Sequence, residues 1–233
     1  MTKLPARTAM PAHTNHEFEA ELHELKDRLL AMGGRCEQMI ANAVRAFQDR
    51  DLKLAQQVMH TDREMNVDEM QVDDMAVRIL ALRQPVGRDL RFAIMAVKAV
   101  TDLERIGDEA VNLSERVSEM IENADTPVPA ADIPEMARLA SAMLHDALDA
   151  FVEEDADRAL AVLDRDDAVD AIYGKLLRSS IAYMEQDPSR ISSGMRVTSC
   201  AKYLERIADH ATNIAEMVVY LVRGVDVRHK SSV

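Results

Sequence analysis

Tryptophan is missing from this sequence, aromatic residues make up 3% of it, and glycine and proline occur seven times each. Strand-rich folds lean on aromatic and β-branched residues and on frequent turn residues, so this composition excludes a β-sandwich or barrel and favours long helices. Two cysteines are too few for a disulfide framework or a thiolate zinc site. Cys36 and Cys200 lie in separate apolar helical patterns, outside any CxxC or Cys/His spacing, and read as reduced core thiols. No uninterrupted apolar run approaches the roughly 18–20 residues that a membrane span needs. Met1 to Asn15 has Lys3 and Arg7 but no apolar signal-peptide region, so the expected location is cytoplasmic. Positive charge is also scarce: 28 basic against 41 acidic residues leave a net charge of −13. That excludes nucleic acid and anionic lipid as natural partners and favours cations and basic protein surfaces. A nucleophile paired with its base, a P-loop and a dinucleotide fingerprint are all absent, so no catalysis and no catalytic residue are expected.

What is present is helical periodicity, with 48% hydrophobic residues over 233 positions, enough for one sizeable core or two small ones. Proline punctuates it, because an interior proline removes a helix hydrogen bond. Pro127, Pro129 and Pro134 mark a linker over 126–134, and Pro85 and Pro188 each mark a turn inside one half. Further breaks are expected at Asp49-Arg50-Asp51 and near Asp155-Ala156-Asp157, where an aspartate can cap the next helix. The predicted organisation is all-α, with six long helices in two tandem, pseudo-symmetric three-helix bundles. A flexible tail over 1–16 precedes a first repeat at 17–125, and after the linker come a second repeat at 135–225 and a tail over 226–233. The first helix, about Glu17 to Gln48, is expected to run through Gly33-Gly34.

The halves are copies of each other. Leu103-Glu104-Arg105-Ile106 recurs as Leu204-Glu205-Arg206-Ile207, and Asp108/Asp209, Ala110/Ala211, Asn112/Asn213 and Glu115/Glu216 continue the match at an offset of 101. Phe47/Phe151, Ala55/Ala159, Val58/Val162 and Asp62/Asp166 pair at an offset of 104.

Within each copy the acids stack at helical spacing. Glu104, Asp108, Asn112 and Glu115 share one face, as do Glu205, Asp209, Asn213 and Glu216; the preceding helices carry Asp62, Asn66, Glu69 and Asp73, and Asp166 with Asp170. An antiparallel hairpin turning at Pro85 places Asp62 level with Asp108 and Asn66 level with Glu104. A turn near Asp187-Pro188 does the same for Asp166 with Asp209 and Asp170 with Glu205. Facing carboxylates repel unless a cation neutralises them, and all-oxygen ligands suit Mg²⁺, Mn²⁺, Ca²⁺ or iron. The competing reading is a solvated acidic face: the apolar seam through Leu103, Ile106, Ala110 and Leu113 lies roughly opposite Glu104, which predicts that Glu104 and Glu205 point outward beside Arg105 and Arg206.

The doubled Leu-Glu-Arg-Ile-x-Asp-x-Ala-x-Asn block resembles the PhoU family of phosphate-uptake regulators. Arg83-Gln84-Pro85 with Asp89-Leu90-Arg91, Met143-Leu144-His145-Asp146 and Arg223-Gly224 to Arg228-His229 extend the resemblance over most of the chain. It implies a non-enzymatic, dimer-forming cytoplasmic protein that negatively regulates phosphate-starvation signalling. Its expected partners are the ATPase subunit of a phosphate ABC transporter and a sensor histidine kinase, with the membrane reached only through them. It also implies that iron, zinc, manganese or magnesium ions bind through Glu/Asp-x-x-x-Asp motifs. Carried over, these are Glu104/Asp108, Glu205/Asp209 and Asp166/Asp170. The second helix departs from the pattern, since Asp62 is followed by Asn66, a neutral and weaker ligand, so the first site is expected either to hold metal less tightly or to use Glu69 instead. Asn112 and Asn213 are possible accessory ligands, and an overlapping Glu64/Asp68 pair ranks lower.

Three alternatives stand beside this reading. A ferritin-like di-iron protein needs Glu-x-x-His pairs, and no glutamate here has histidine three residues on. Histidine phosphotransfer would use His145 next to Asp146. A generic helical adaptor would need neither. The arginines at 83, 88 and 91 are read as ordinary charges near a turn.

Overall fold

The computed structural model describes residues 16–123 and 130–227, which are all helix, turn or irregular chain with no strand among them. The expected tails over 1–16 and 226–233 lie mostly outside the described residues, as do Arg228 and His229 of the resemblance; of the expected linker over 126–134, residues 130–134 are described, and Ile133 and Pro134 already belong to the next helix.

Three long helices form the first half: α1 (His16–Asp49), α2 (Leu52–Arg83) and α3 (Gly87–Glu122). The second half contains α4 (Ile133–Glu153), α5 (Ala156–Leu163), α6 (Asp166–Glu185), a single 3₁₀ turn (Pro188–Arg190) and α7 (Ile191–Arg223). The all-α, two-bundle plan holds with one amendment. The middle rod of the second half is broken at Asp164-Arg165, where the Arg165 amide bonds Val162 O, three residues back, at 3.0 Å. Three of the four residues over 164–167 are aspartates, poor helix formers, and Asp166 and Asp167 suit the positive end of a new helix.

The helix boundaries follow local chemistry. Asp51 accepts a hydrogen bond from the Leu54 amide at 3.1 Å, and Asp155 accepts from the amides of Asp157 and Arg158. Both are the caps that the sequence suggested. Helix α1 does run through its glycine pair, and Gly33 has a packing reason: a Cβ there would lie 2.0 Å from Leu148 Cδ1, so glycine lets α1 and α4 approach closely.

One continuous apolar core joins the halves, with Leu29, Met39, Leu103 and Ile106 in the same cluster as Leu144, Phe151, Leu204 and Ile207. The rings of Phe92 and Phe151 meet across it at 5.3 Å. Cys36 and Cys200 are buried, free thiols, and the Cys36 thiol donates to Leu103 O at 3.3 Å. Burial pushes Cys200 up to about 12 and Cys36 upward as well.

Helices α3 and α7 lie side by side in opposite directions and form the central seam. Arg206 bonds Glu109 at 3.2 Å, His210 Nδ1 meets Asp102 at 2.8 Å, and Arg196 bonds Glu119 at 3.3 Å. Each seam helix then packs outward on its hairpin partner, α3 on α2 and α7 on α5 and α6, and the acidic rows lie in those outer grooves.

Candidate metal centres

The first acidic group lies between α2 and α3. Asp62, Glu69 and Asp73 share the α2 face turned toward α3, which contributes Glu104 and Asp108. Glu104 does not point outward as its position opposite the seam suggested: its side chain is only 17% exposed. The helical wheel assumed a single packing face, whereas α3 has neighbours on more than one side. Burial raises the Glu104 carboxyl above its ordinary range, as do Asp108, Glu69 and Asp62, and Arg105 opposes them. Asp108 is raised by burial and then by Asp62; Glu69 by burial, Asp73 and Asp108; and Asp73 by burial and Asp74. Arg105 reaches Glu104 and Asp108 at 3.5 Å each. Asn66 is exposed and donates back to Asp62 at 3.2 Å, so Glu69 takes the groove position instead.

The second group lies between α6 and α7 and is made of Asp166, Asp170, Glu205 and Asp209. Glu205 also is covered, its side chain 13% exposed. Partial removal from water comes first and the fields of Glu205 and Asp166 second in pushing Asp209 up to about 6, although its side chain still meets solvent. Burial and then Asp170 raise Asp166, against a hydrogen bond from the Thr212 hydroxyl at 3.4 Å. Lys202 enters this group as a hydrogen-bond donor to Glu205, with its ammonium 5.5 Å from the Tyr173 ring centroid.

Two of the four levelled pairs expected from the hairpin turns are in evidence, since Asp62 acts on Asp108 and Asp166 on Asp209 across the grooves. Several other candidates are engaged elsewhere. Asn112 donates to Glu109 at 3.3 Å and Asn213 to Asp102 at 3.0 Å, both away from the acidic groups. Glu64 and Asp68 both pair with Arg35 on α1. Arg83 pairs with Glu17 and Glu21, and Arg88 with Glu154, so two of the turn arginines tie helix ends together. His145 is exposed on α4 and is flanked by Glu37 at 3.0 Å and Asp149 at 3.6 Å.

Two residues were missed by the sequence reading. Lys202 stands where the first repeat has Thr101, and Tyr173 where it has Glu69, by the same offsets of 101 and 104 that align the halves. Following the repeat past its identities to its differences would have found both.

Chemically, each groove offers oxygen donors of the type that hard cations favour, and the raised carboxyls mark negative charge that the chain itself neutralises incompletely. Asp73 Oδ1 is buried without a hydrogen-bond partner. This donor set fits a hard cation, but its geometry is two facing rows: among the described residues no three His, Cys, Asp or Glu side chains converge on a point that could hold an ion. Loading one requires these carboxylates to turn toward it.

The PhoU domain family matches residues 29–117 and 133–218, one match in each half. The phosphate-specific transport system accessory protein PhoU homolog of Pseudomonas putida is 44% identical over 223 residues, covering 96% of this chain and 87% of that protein. The Escherichia coli (strain K12) accessory protein PhoU is 36% identical, covering 93% and 90%. The crystal structure of PhoU from Pseudomonas aeruginosa superposes with a TM-score of 0.86 at 44% identity, covering 89% of this chain and all of that one. That of the phosphate transport system regulatory protein PhoU from Streptococcus pneumoniae gives 0.84 at 30% identity, covering 90% and 99%. With a match in each repeat and relatives covered over most of their own length, the chain belongs to the PhoU family.

Proposed function

We propose that this chain is a non-enzymatic accessory regulator of phosphate-specific transport that binds metal ions in its two carboxylate grooves. In this reading it dampens phosphate-starvation signalling from the cytoplasm, as a homodimer, between the ATPase subunit of a phosphate ABC transporter and a sensor histidine kinase. The regulatory role is supported by the names of its relatives. No described helix is long and apolar enough to cross a membrane, which agrees with action through partners.

The observation that carries the metal assignment is the duplication of facing carboxylates, with Asp108 and Asp209 raised at equivalent places in the two repeats. Asp62, Glu69, Glu104 and Asp108 would hold an ion in the first groove, and Asp166, Asp170, Glu205 and Asp209 in the second. Bound there, a cation would relieve the repulsion within each row and fix α2 against α3 and α6 against α7.

Elemental analysis of protein purified without chelator tests this directly. Wild type is expected to retain metal, and an Asp108→Asn/Asp209→Asn double variant to lose most of it. Equal content in both would reject the sites. In a host lacking its own copy, wild type should repress a phosphate-starvation reporter; failure to repress would reject the regulatory role.

A further inference from the structure

We infer that Lys202 is a built-in counter-ion that makes the second carboxylate groove the weaker metal site, so that the two repeats fill at different metal concentrations. This rests on the metal-binding reading above and adds to it an inequality between the grooves.

The two grooves descend from one repeat, yet their internal cations differ in kind. In the second, Lys202 donates a hydrogen bond to the largely covered Glu205, and its ammonium sits 5.5 Å from the Tyr173 ring centroid. That distance is within reach of a cation–π attraction, so the lysine is held from two sides. In the first groove the equivalent places carry Thr101, whose hydroxyl bonds Val97 O on its own helix, and Glu69, a further carboxylate. The cation nearest that groove is Arg105. It stands 3.5 Å from Glu104 and Asp108, longer than a charge-assisted hydrogen bond of about 2.7–2.9 Å, and is 58% exposed. Its counterpart Arg206 turns away from the second groove to Glu109 on the seam.

At the ligand places the grooves have four acids each, because Asn66 of the first stands where the second has Asp170, so the difference lies in the cation: the first groove has a loosely held arginine that can swing into water. The second has a cation already bonded to a would-be ligand. A divalent ion entering the second groove must break the Lys202–Glu205 bond and then tolerate an ammonium a few ångströms away, or move it. In water-like surroundings such a unit charge lowers the affinity of a divalent ion on the order of tenfold. Tyr173 in the place of Glu69 and Asp170 in the place of Asn66 offset each other in charge, which leaves Lys202 as the difference.

Calorimetric titration of the full chain with Mn²⁺ alone tests the inference, using Asp108→Asn to silence the first groove and Asp209→Asn to silence the second. Lys202→Thr in the Asp108→Asn background should tighten Mn²⁺ binding about tenfold, and Lys202→Arg, which keeps the charge, should not. Thr101→Lys in the Asp209→Asn background should weaken the first groove by a similar factor. Circular dichroism confirms that each variant keeps its helix content, and exposed Thr101 gives a substitution that leaves the core alone. Mn²⁺ binding that is unchanged by Lys202→Thr would overturn the role of Lys202 while leaving the metal sites standing. Absence of Mn²⁺ binding in wild type would overturn the metal reading and this inference with it.

Discussion

Replacing Asp209 by asparagine should stabilise the metal-free protein near neutral pH. Its carboxyl is pushed from an ordinary 3.8 up to about 6, because the folded chain removes it partly from water and sets it beside Glu205 and Asp166. The folded chain thus holds a proton that the unfolded chain releases at lower pH. The stability this confers is complete below 3.8 and is lost as pH rises through about 6, above which the ionised group strains the fold. A shift of about 2 units corresponds to roughly 3 kcal/mol at full strength, and solvent screening of a side chain this exposed reduces it to ~1 kcal/mol. In a chain of this size that is about 2–4 °C in Tm. Thermal unfolding in chelator should show Asp209→Asn above wild type at about pH 7.5, with the gap closing as the pH falls toward about 4. Mn²⁺ should then reverse the order by stabilising wild type, by ~2.7 kcal/mol at a hundredfold excess over Kd, and the variant less. A difference of the same size at every pH would refute the reasoning, because it would mean that the carboxylate charge is not what strains the groove.

Other expectations follow from packing. Gly33→Ala should destabilise by ~1–2 kcal/mol in urea unfolding, since crowding Leu148 costs more than the gain in helix propensity returns; a more stable variant would show that α1 and α4 are not in close contact there. Both cysteines should resist a thiol reagent in the native state and react only on unfolding, because burial holds each as a neutral thiol. Labelling of either at the rate of a free thiol would show that the core around it opens readily.

Much of the plan could be read from residue spacing. The duplicated block, the prolines and the aspartate caps are local signals, and a hairpin turn fixes which positions become level across it. Asp108 and Asp209 were found that way. Burial of Glu104 and Glu205 was not legible, because a helical wheel sees one rod and one seam, whereas α3 and α7 touch several neighbours at once. For the same reason Glu109, a buried acid bonded to Arg206 on the other half, drew no attention. The break at Asp164-Arg165 was weakly signalled, since a run of charged residues is compatible with a helix until its own partners, here Asp146 for Arg165, draw it elsewhere. Asn66 was placed at a ligand position by register, but its amide is satisfied by Asp62, which spacing cannot show.

The opposed run of α3 and α7 has an implication for each half taken alone. Pairs across the seam, Glu109 with Arg206 and Asp102 with Asn213, lie level about a point near Gly107 and Ala208, which are equivalent positions of the two repeats. A lone half, cut free, would expose the apolar strip that its sister now covers, and could hide it again by pairing with an identical half. In one chain, by contrast, the two copies are tied together and each is free to differ from the other.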